Sequence, residues 1–383
     1  MLTRCVPWVL AALIVDALIL DAVWCGGALA GDDEPRGTRV YSNDFAHEAG
    51  PEWSSRTVDK TLKGERPFLG MFGGEAVTFR QGDLPAHRFL RLTCSLYLLN
   101  PWDGSSPIWG PDPFDISVDK GPTLLHTTFG NCGFFTDNNE QAFPDEFPDA
   151  VHPVWTGADE KQTLGYMFSW GGPDRTHDTS SIYDLSFTFP HTADSVALVF
   201  TSFSKEQKKG EAWGVAKFQL ETLDQGSRLD DKALTSCWNE LASDDPLTAF
   251  RAKWKLVASA DTSRNFLALK LQGMQVDKQR FHALADALGS EQFVLREAAQ
   301  QELLGMGPGI APLLRAALKD AVSAEAKTRL RKILEAVAPS ERNNPERLQR
   351  LRAAHALELA ESQPNPARRD ALKLPPDETS PPD

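Results

Sequence analysis

The chain has five cysteines and no CxxC pair among them, which argues against a structural zinc site of the finger or ribbon type. No HExxH, GxSxG or P-loop run occurs, so zincin, nucleophile-elbow and Walker-type chemistry have no local signature. There is no Glu-x-Asp-x-x-Glu run either. A strand built that way sets alternate acids on one face, about 5–5.5 Å apart, as a retaining glycosidase requires. Asp112 and Asp115 fall on opposite faces if they share a strand, and Asp145, Glu146 and Asp149 sit among prolines and read as a solvated loop. The eight histidines are scattered; His87 and His191 flank strands and read as structural. Basic residues number 40 against 53 acidic ones, a net charge of −13. Nothing in that balance calls for nucleic acid, while an acidic surface concentrates divalent cations.

Residues 1–30 read as an export signal: Arg4 at the start, a largely apolar run from Pro7 to Val23, and small-x-small Ala28-Leu29-Ala30 before Gly31. Asp16 and Asp21 argue against a retained transmembrane helix, since a central carboxylate costs about 2.5–3.5 kcal/mol on insertion scales. The expected location is therefore periplasmic or extracellular, with no membrane span after cleavage and a polar segment over 31–37; an uncleaved membrane anchor is the alternative. In such an oxidising compartment a Cys94–Cys132 disulfide is possible, beside the alternative of buried free thiols.

Residues 38–224 carry runs of period two. Leu90, Leu92, Cys94, Leu96 and Leu98 alternate with polar partners, as do Phe114, Ile116 and Val118, and then Tyr183, Leu185, Phe187 and Phe189. Such runs are half-buried strands, and many of them between Gly/Pro turns predict an all-β jelly-roll sandwich. From Leu229 the period becomes helical. An internal offset of 47 residues pairs Leu241 with Leu288, Leu247 with Val294, Ala252 with Ala299, Leu256 with Leu303, and Leu267 with Leu314. That period fits HEAT or armadillo repeats, so 229–361 is expected to be an all-α HEAT-like repeat domain. The Pro-rich end, 362–383, is expected to be disordered.

Two sets of residues suggest binding. Trp102-Asp103-Gly104 and Trp109-Gly110-Pro111-Asp112 follow a strand closely. A solvent-facing Trp offers an apolar plane to a sugar ring and a neighbouring Asp accepts its hydroxyls; the competing reading has the Trp residues plugging the end of the sandwich. Asp44, near the first strand, and Glu211, near the last, are a candidate pair of oxygen ligands for a structural calcium ion; the competing reading is a polar edge with no metal, and no other cofactor is expected.

The β half resembles a domain of exported bacterial proteins. The shared pattern is Leu69-Gly70-Met71-Phe72-Gly73, Leu84-Pro85-Ala86-His87, Trp102-Asp103-Gly104, Thr127-Thr128-Phe129, Gln141-Ala142-Phe143-Pro144, Tyr183 through His191, and Glu211-Ala212-Trp213-Gly214-Val215. The resemblance spans roughly residues 40–222 and implies a concanavalin-A-like or laminin-G-like jelly roll associated with carbohydrate or surface recognition. Where the pattern closes in DExWGxDNV, this chain has Gly210 for the leading Asp and Ala216-Lys217 for the Asp-Asn pair, which puts any calcium site of relatives in doubt. The helical half resembles a bacterial HEAT-like module, through Ser290 to Ala299 and Ala311-Pro312-Leu313-Leu314-Arg315, which implies a scaffold for a protein partner. The expected function is thus non-catalytic binding of a glycan or surface component. A divergent glycoside hydrolase and a purely structural envelope protein are the alternatives.

Overall fold

The computed structural model describes residues 35–132, 140–169, 172, 175–203, 210–273, 277–307, 310–320, 323–337 and 343–361. The expected signal segment (1–30), the start of the polar segment after it and the Pro-rich end (362–383) lie outside the described residues. Among the described residues, no helix is long and apolar enough to cross a membrane.

The first half is a β-sandwich. In chain order its strands are β1 (Thr38–Asn43), β2 (Val58–Lys60), β3 (Pro67–Phe72), β4 (Val77–Gln81), β5 (Phe89–Leu99), β6 (Pro113–Val118), β7 (Thr123–Thr128) and β8 (Glu140–Gln141). There follow β9 (His152–Pro153), β10 (Glu160–Lys161), β11 (Met167–Ser169), β12 (Thr176–Asp178), β13 (Ser181–Pro190), β14 (Val196–Ser202) and β15 (Ala212–Leu223). One sheet has the order β10-β13-β5-β15-β3-β2, with β1 also on β15, and the other runs β4-β14-β6-β7. Every pairing is antiparallel.

The alternating residues of β5, β6 and β13 meet as predicted: Leu90 through Leu98, Phe114, Ile116 and Tyr183 through Phe189 join Trp53, Phe79, Phe200, Trp213 and Phe218 in one core. The outer face of β5 departs from simple alternation, because Ser95 and Tyr97 are buried as well. Leu164 and Tyr166 from the β10–β11 segment pack over Tyr97, Phe68 and Ile182 and give the large sheet a second, smaller apolar layer.

Cys94 and Cys132 are both free and buried, which corrects the expected disulfide. Cys94 lies mid-strand opposite Leu185, whereas Cys132 follows Asn131, whose amide binds the carbonyl of Asn100 beyond the end of β5. Six residues of extended chain separate positions 94 and 100, about 20 Å at strand rise, while a disulfide needs Cα atoms within about 7 Å.

Among the described residues eight helices follow: α1 (Asp231–Glu240), α2 (Pro246–Ala258), α3 (Ala260–Gly273), α4 (Lys278–Ala287), α5 (Phe293–Gly305), α6 (Ala311–Asp320), α7 (Ala324–Val337) and α8 (Pro345–Glu361). The offset of 47 is visible in the backbone. It carries α1 onto α4 and α2 onto α5 residue for residue, and the N-cap Asp230, which accepts from Ala233 N, onto Asp277, which accepts from Arg280 N.

The helices do not continue as a simple row. The α8 helix folds back onto α3, α2 and β13, while α7 packs on α6 and α5. The buried positions Leu348, Arg352, His355 and Leu359 of α8 recur 22 residues earlier as Ala326, Leu330, Ile333 and Val337 of α7. The result is two four-helix units, with α4–α7 inserted between α3 and α8 of the first. The first unit shares the sandwich core through Trp238, Trp254, Leu256, Leu267 and Ala356. The second has an apolar core of its own around Phe281, Leu303, Leu314 and Ile333.

The loop expected to be solvated is instead the seam. Asp145 and Glu146 are buried. Arg352 grips Asp145 with two bonds, Nε to Oδ1 at 2.7 Å and Nη2 to Oδ2 at 2.6 Å, and His152 Nε2 meets Oδ2 at 2.9 Å. Glu146 faces His355 Nδ1 at 2.9 Å and Lys253 Nζ at 3.5 Å, and Asp149 faces Arg347. Burial disfavours the charged form of Asp145, but Arg352 and His152 outweigh it and hold its pKa down at about 2. Apart from His152, the partners of these acids are not legible locally, because Lys253 lies on α2 and Arg347, Arg352 and His355 on α8, over a hundred positions away.

Candidate functional site

Beyond the ends of β5 and β15 the chain makes a set of loops held by Asn131. Its side-chain oxygen accepts from Trp102 N at 2.8 Å, and its amide donates to the carbonyls of Asn100 (2.9 Å) and Thr179 (2.8 Å). Trp102 is fully buried, with Nε1 donating to the carbonyl of Ala212 at 3.0 Å. It plugs the end of the sandwich, so its expected role as a sugar platform is corrected. A buried indole is stable there because its one polar hydrogen has a partner.

The next turn needs glycine. Gly104 has φ +63°, and a Cβ on it would lie 2.2 Å from the carbonyl oxygen of Glu140. The loop it opens closes on Asp112: Asp103 N donates to Asp112 Oδ2 at 2.9 Å, and Asp112 N to the carbonyl of Gly104 at 3.0 Å. Ser106 Oγ accepts from the backbone of Ile108 and Trp109, each at 3.3 Å. The tip of this folded loop points two apolar side chains at solvent, Ile108 at 67% and Trp109 at 66% exposure. Large exposed apolar side chains side by side mark a contact surface better than scattered ones do.

Beneath the loop, Asp103, Asp112 and Glu211 come together, each offering an oxygen within 4.8 Å of the others. Asp112 and Glu211 are buried and Asp103 half-buried. Three carboxylate oxygens this close form a donor set that could hold a cation. An all-carboxylate donor set suits a hard ion such as calcium. The nearby Cys132 offers no thiolate, because burial pushes its pKa up and the charges of Asp103, Glu211 and Asp112 push the same way.

Of the expected calcium pair, Glu211 belongs to this cluster and Asp44 does not. Asp44 is exposed, and its Oδ1 accepts from Ala46 N at 3.0 Å. The first and last strands do pair, but Asn43 sits opposite Phe218, seven residues from Glu211 and so about 20 Å along β15. The four residues of the Trp loops divide as Trp102 in the core, Asp103 and Asp112 in the acid cluster, and Trp109 on the surface. The membership of Glu211 with Asp103 and Asp112 was hidden in the sequence by a separation of about a hundred residues. The clue available was the adjacency of Trp-Asp-Gly and Glu-Ala-Trp to the two central strands, β5 and β15.

No family model matches the chain, and no curated protein does. Among solved structures it is similar to a 4-O-methyl-α-glucuronidase of glycoside hydrolase family 115 with specificity for decorated arabinogalactans, at 14% identity, 49% of this chain and 18% of that one, with a TM-score of 0.25. It is similar to an exo-β-1,3-galactanase from Phanerochaete chrysosporium, seen with galactose, at 13% identity, 48% and 29% coverage, and a TM-score of 0.22. A third is the winged bean acidic lectin with methyl-α-D-galactose, at 9% identity, 49% and 99% coverage, and a TM-score of 0.22. The chain thus spans less than a third of the length of the two hydrolases.

Proposed function

We propose that this is an exported binding protein whose jelly-roll sandwich recognises a glycan at the Trp109 loop, braced by a calcium ion, and whose HEAT-like helices form a scaffold for a protein partner. The observation that carries the reading is the stacking of two features: an exposed Ile108–Trp109 tip above a cluster of Asp103, Asp112 and Glu211. Asp112 belongs to both, since its carboxylate is a cluster member and also the acceptor that closes the loop. A cation drawn to the cluster therefore stiffens the surface that meets the sugar, and a stiff platform binds with less entropic loss. Calcium takes 6–8 oxygens; three carboxylates supply part of that set and charge neutralisation for it.

The experiment is calorimetric titration of the full chain with calcium, then with a panel of oligosaccharides in calcium or EDTA. The reading expects one calcium per chain, lost in Asp112→Asn, and sugar binding lost in Trp109→Ala with the calcium isotherm unchanged. Release of a reducing sugar from any panel member would replace the binding reading with the hydrolase alternative. No heat from either titration would sink it.

A further inference from the structure

Two histidines that the binding site does not use meet at the opposite end of β5. The turn Leu84-Pro85-Ala86-His87 precedes β5 and His191 follows β13. His87 Nε2 and His191 Nδ1 are 2.8 Å apart, and His87 Nδ1 lies 2.6 Å from the carbonyl oxygen of Pro85. The ring planes are within 10° of parallel with centroids 5.1 Å apart. With facing nitrogens so much closer than the centroids, the rings lie edge to edge in nearly one plane, the alignment of a linear N–H···N bond rather than a stack.

The carbonyl of Pro85 only accepts, so His87 Nδ1 carries a proton. The two facing nitrogens then have room for one proton between them. Protonating both would set two N–H groups and two positive charges against each other. His87 is buried and His191 half-buried, which leaves little water to soften that repulsion.

We propose that the His87–His191 pair is an acid-operated latch that fastens the Leu84–His87 turn to the end of β13 and releases it as the second imidazole takes up a proton. The latch sits where the sandwich meets the helices. Arg88, just before β5, is bound to Asp261 of α3 at 2.8 Å, and Phe89 packs with Ala260 and Ala360. Asp83 and Asp194 stand on the two exposed turns beside it, which are joined by Leu84 N donating to the carbonyl of Asp194 at 2.9 Å.

Burial, and secondarily the charge of His87, lower His191 from 6.5 to about 4, against a backbone bond of Ser195 that raises it. The released form takes up this proton earlier than the latched one. Release is therefore favoured progressively as pH falls from 6.5 towards 4 and levels off below that.

The test is amide exchange of the full chain between pH 7 and 3.5, corrected for intrinsic rates, read at Leu84 N and His191 N. The expected result is exchange through opening that rises about a hundredfold over this window in the wild type, and no such rise in His191→Asn, whose amide still bonds His87 but does not titrate. Asp261→Asn keeps the rise. A rise of the same size in His191→Asn, its loss in Asp261→Asn alone, or an unchanged wild type would each overturn the latch.

Discussion

The two four-helix units share a backbone plan and differ in what they face. Asp230 and Asp277 cap α1 and α4 in the same way, and Leu241 and Leu288 close them in the same way. The first unit turns α2 and α8 to the sandwich, and there the matching positions diverge. Phe250 and Trp254, whose rings meet Phe143 and Phe187, have Glu297 and Gln301 as counterparts at the offset of 47. Lys253, beside Glu146, has Gln300. Arg352 and His355, which hold Asp145 and Glu146, correspond to Leu330 and Ile333 in the core of the second unit. In the second unit Glu297 and Gln300 are tied instead to Arg329 of α7. About five side chains thus distinguish the helices that face the sandwich from those that face their own unit, while α1 and α2 match α4 and α5 in length. It also follows that the seam buries paired charge together with apolar area, whereas the inserted unit has an apolar core and carries its ion pairs, such as Arg329–Glu297 and Arg280–Glu302, on more exposed side chains.

The largest way to break this contrast is Arg352→Ala. It leaves the buried Asp145 carboxylate with His152 alone, and removing one partner of a buried pair costs about 3–5 kcal/mol. Denaturant melts followed by tryptophan fluorescence should show the sandwich and first unit losing stability together. Leu330→Ala, its counterpart, should cost about 2–5 kcal/mol, yet hydrogen exchange should place the loss in α4–α7 and leave β5 and β13 protected. Equal effects of both changes on β5 would mean that the units are not separate.

Next comes acid. Asp145 is depressed from 3.8 to about 2, so its contribution is complete above 3.8 and is lost as pH falls through 2. That difference amounts to about 2–3 kcal/mol. Asp145→Asn should be less stable at neutral pH and should show a flatter dependence between pH 4 and 2. The smallest effect is in the caps: Asp230→Ala and Asp277→Ala should each cost about 1 kcal/mol. The first should register in the melt of the sandwich and the second only in exchange of α4 and its neighbours.

Much of this architecture was legible in the sequence where a local pattern fixed it. The alternation in Leu90–Leu98 and Tyr183–Phe189 identified the two central strands, and the offset of 47 carried α1 and α2 onto α4 and α5. A hydrophobic stripe tells that a face is covered and not what covers it, so the return of α8 to α2 and α3 was not visible. The same limit applied to charge. Asp145 and Glu146 sit among prolines in a segment that looks like any solvated loop, and only the fold brings Arg352 and His355 to them. Trp102 and Trp109 have nearly the same local sequence, each next to Gly and Asp, and one became core and the other surface. Among the site residues, Asp103, Asp112, Trp109 and Glu211 were singled out individually. Their grouping is not legible there, because the adjacency of first and last strands suggests Asp44 with Glu211 and the register that separates them has no local sign.

The most direct measurement is an oligosaccharide array probed with the full chain in calcium and again in EDTA, using wild type, Trp109→Ala and Trp102→Phe. The expected result is binding that EDTA weakens, that Trp109→Ala abolishes and that Trp102→Phe, a change inside the core, leaves in place. Undiminished binding by Trp109→Ala, or a blank array for wild-type protein in calcium, would contradict it.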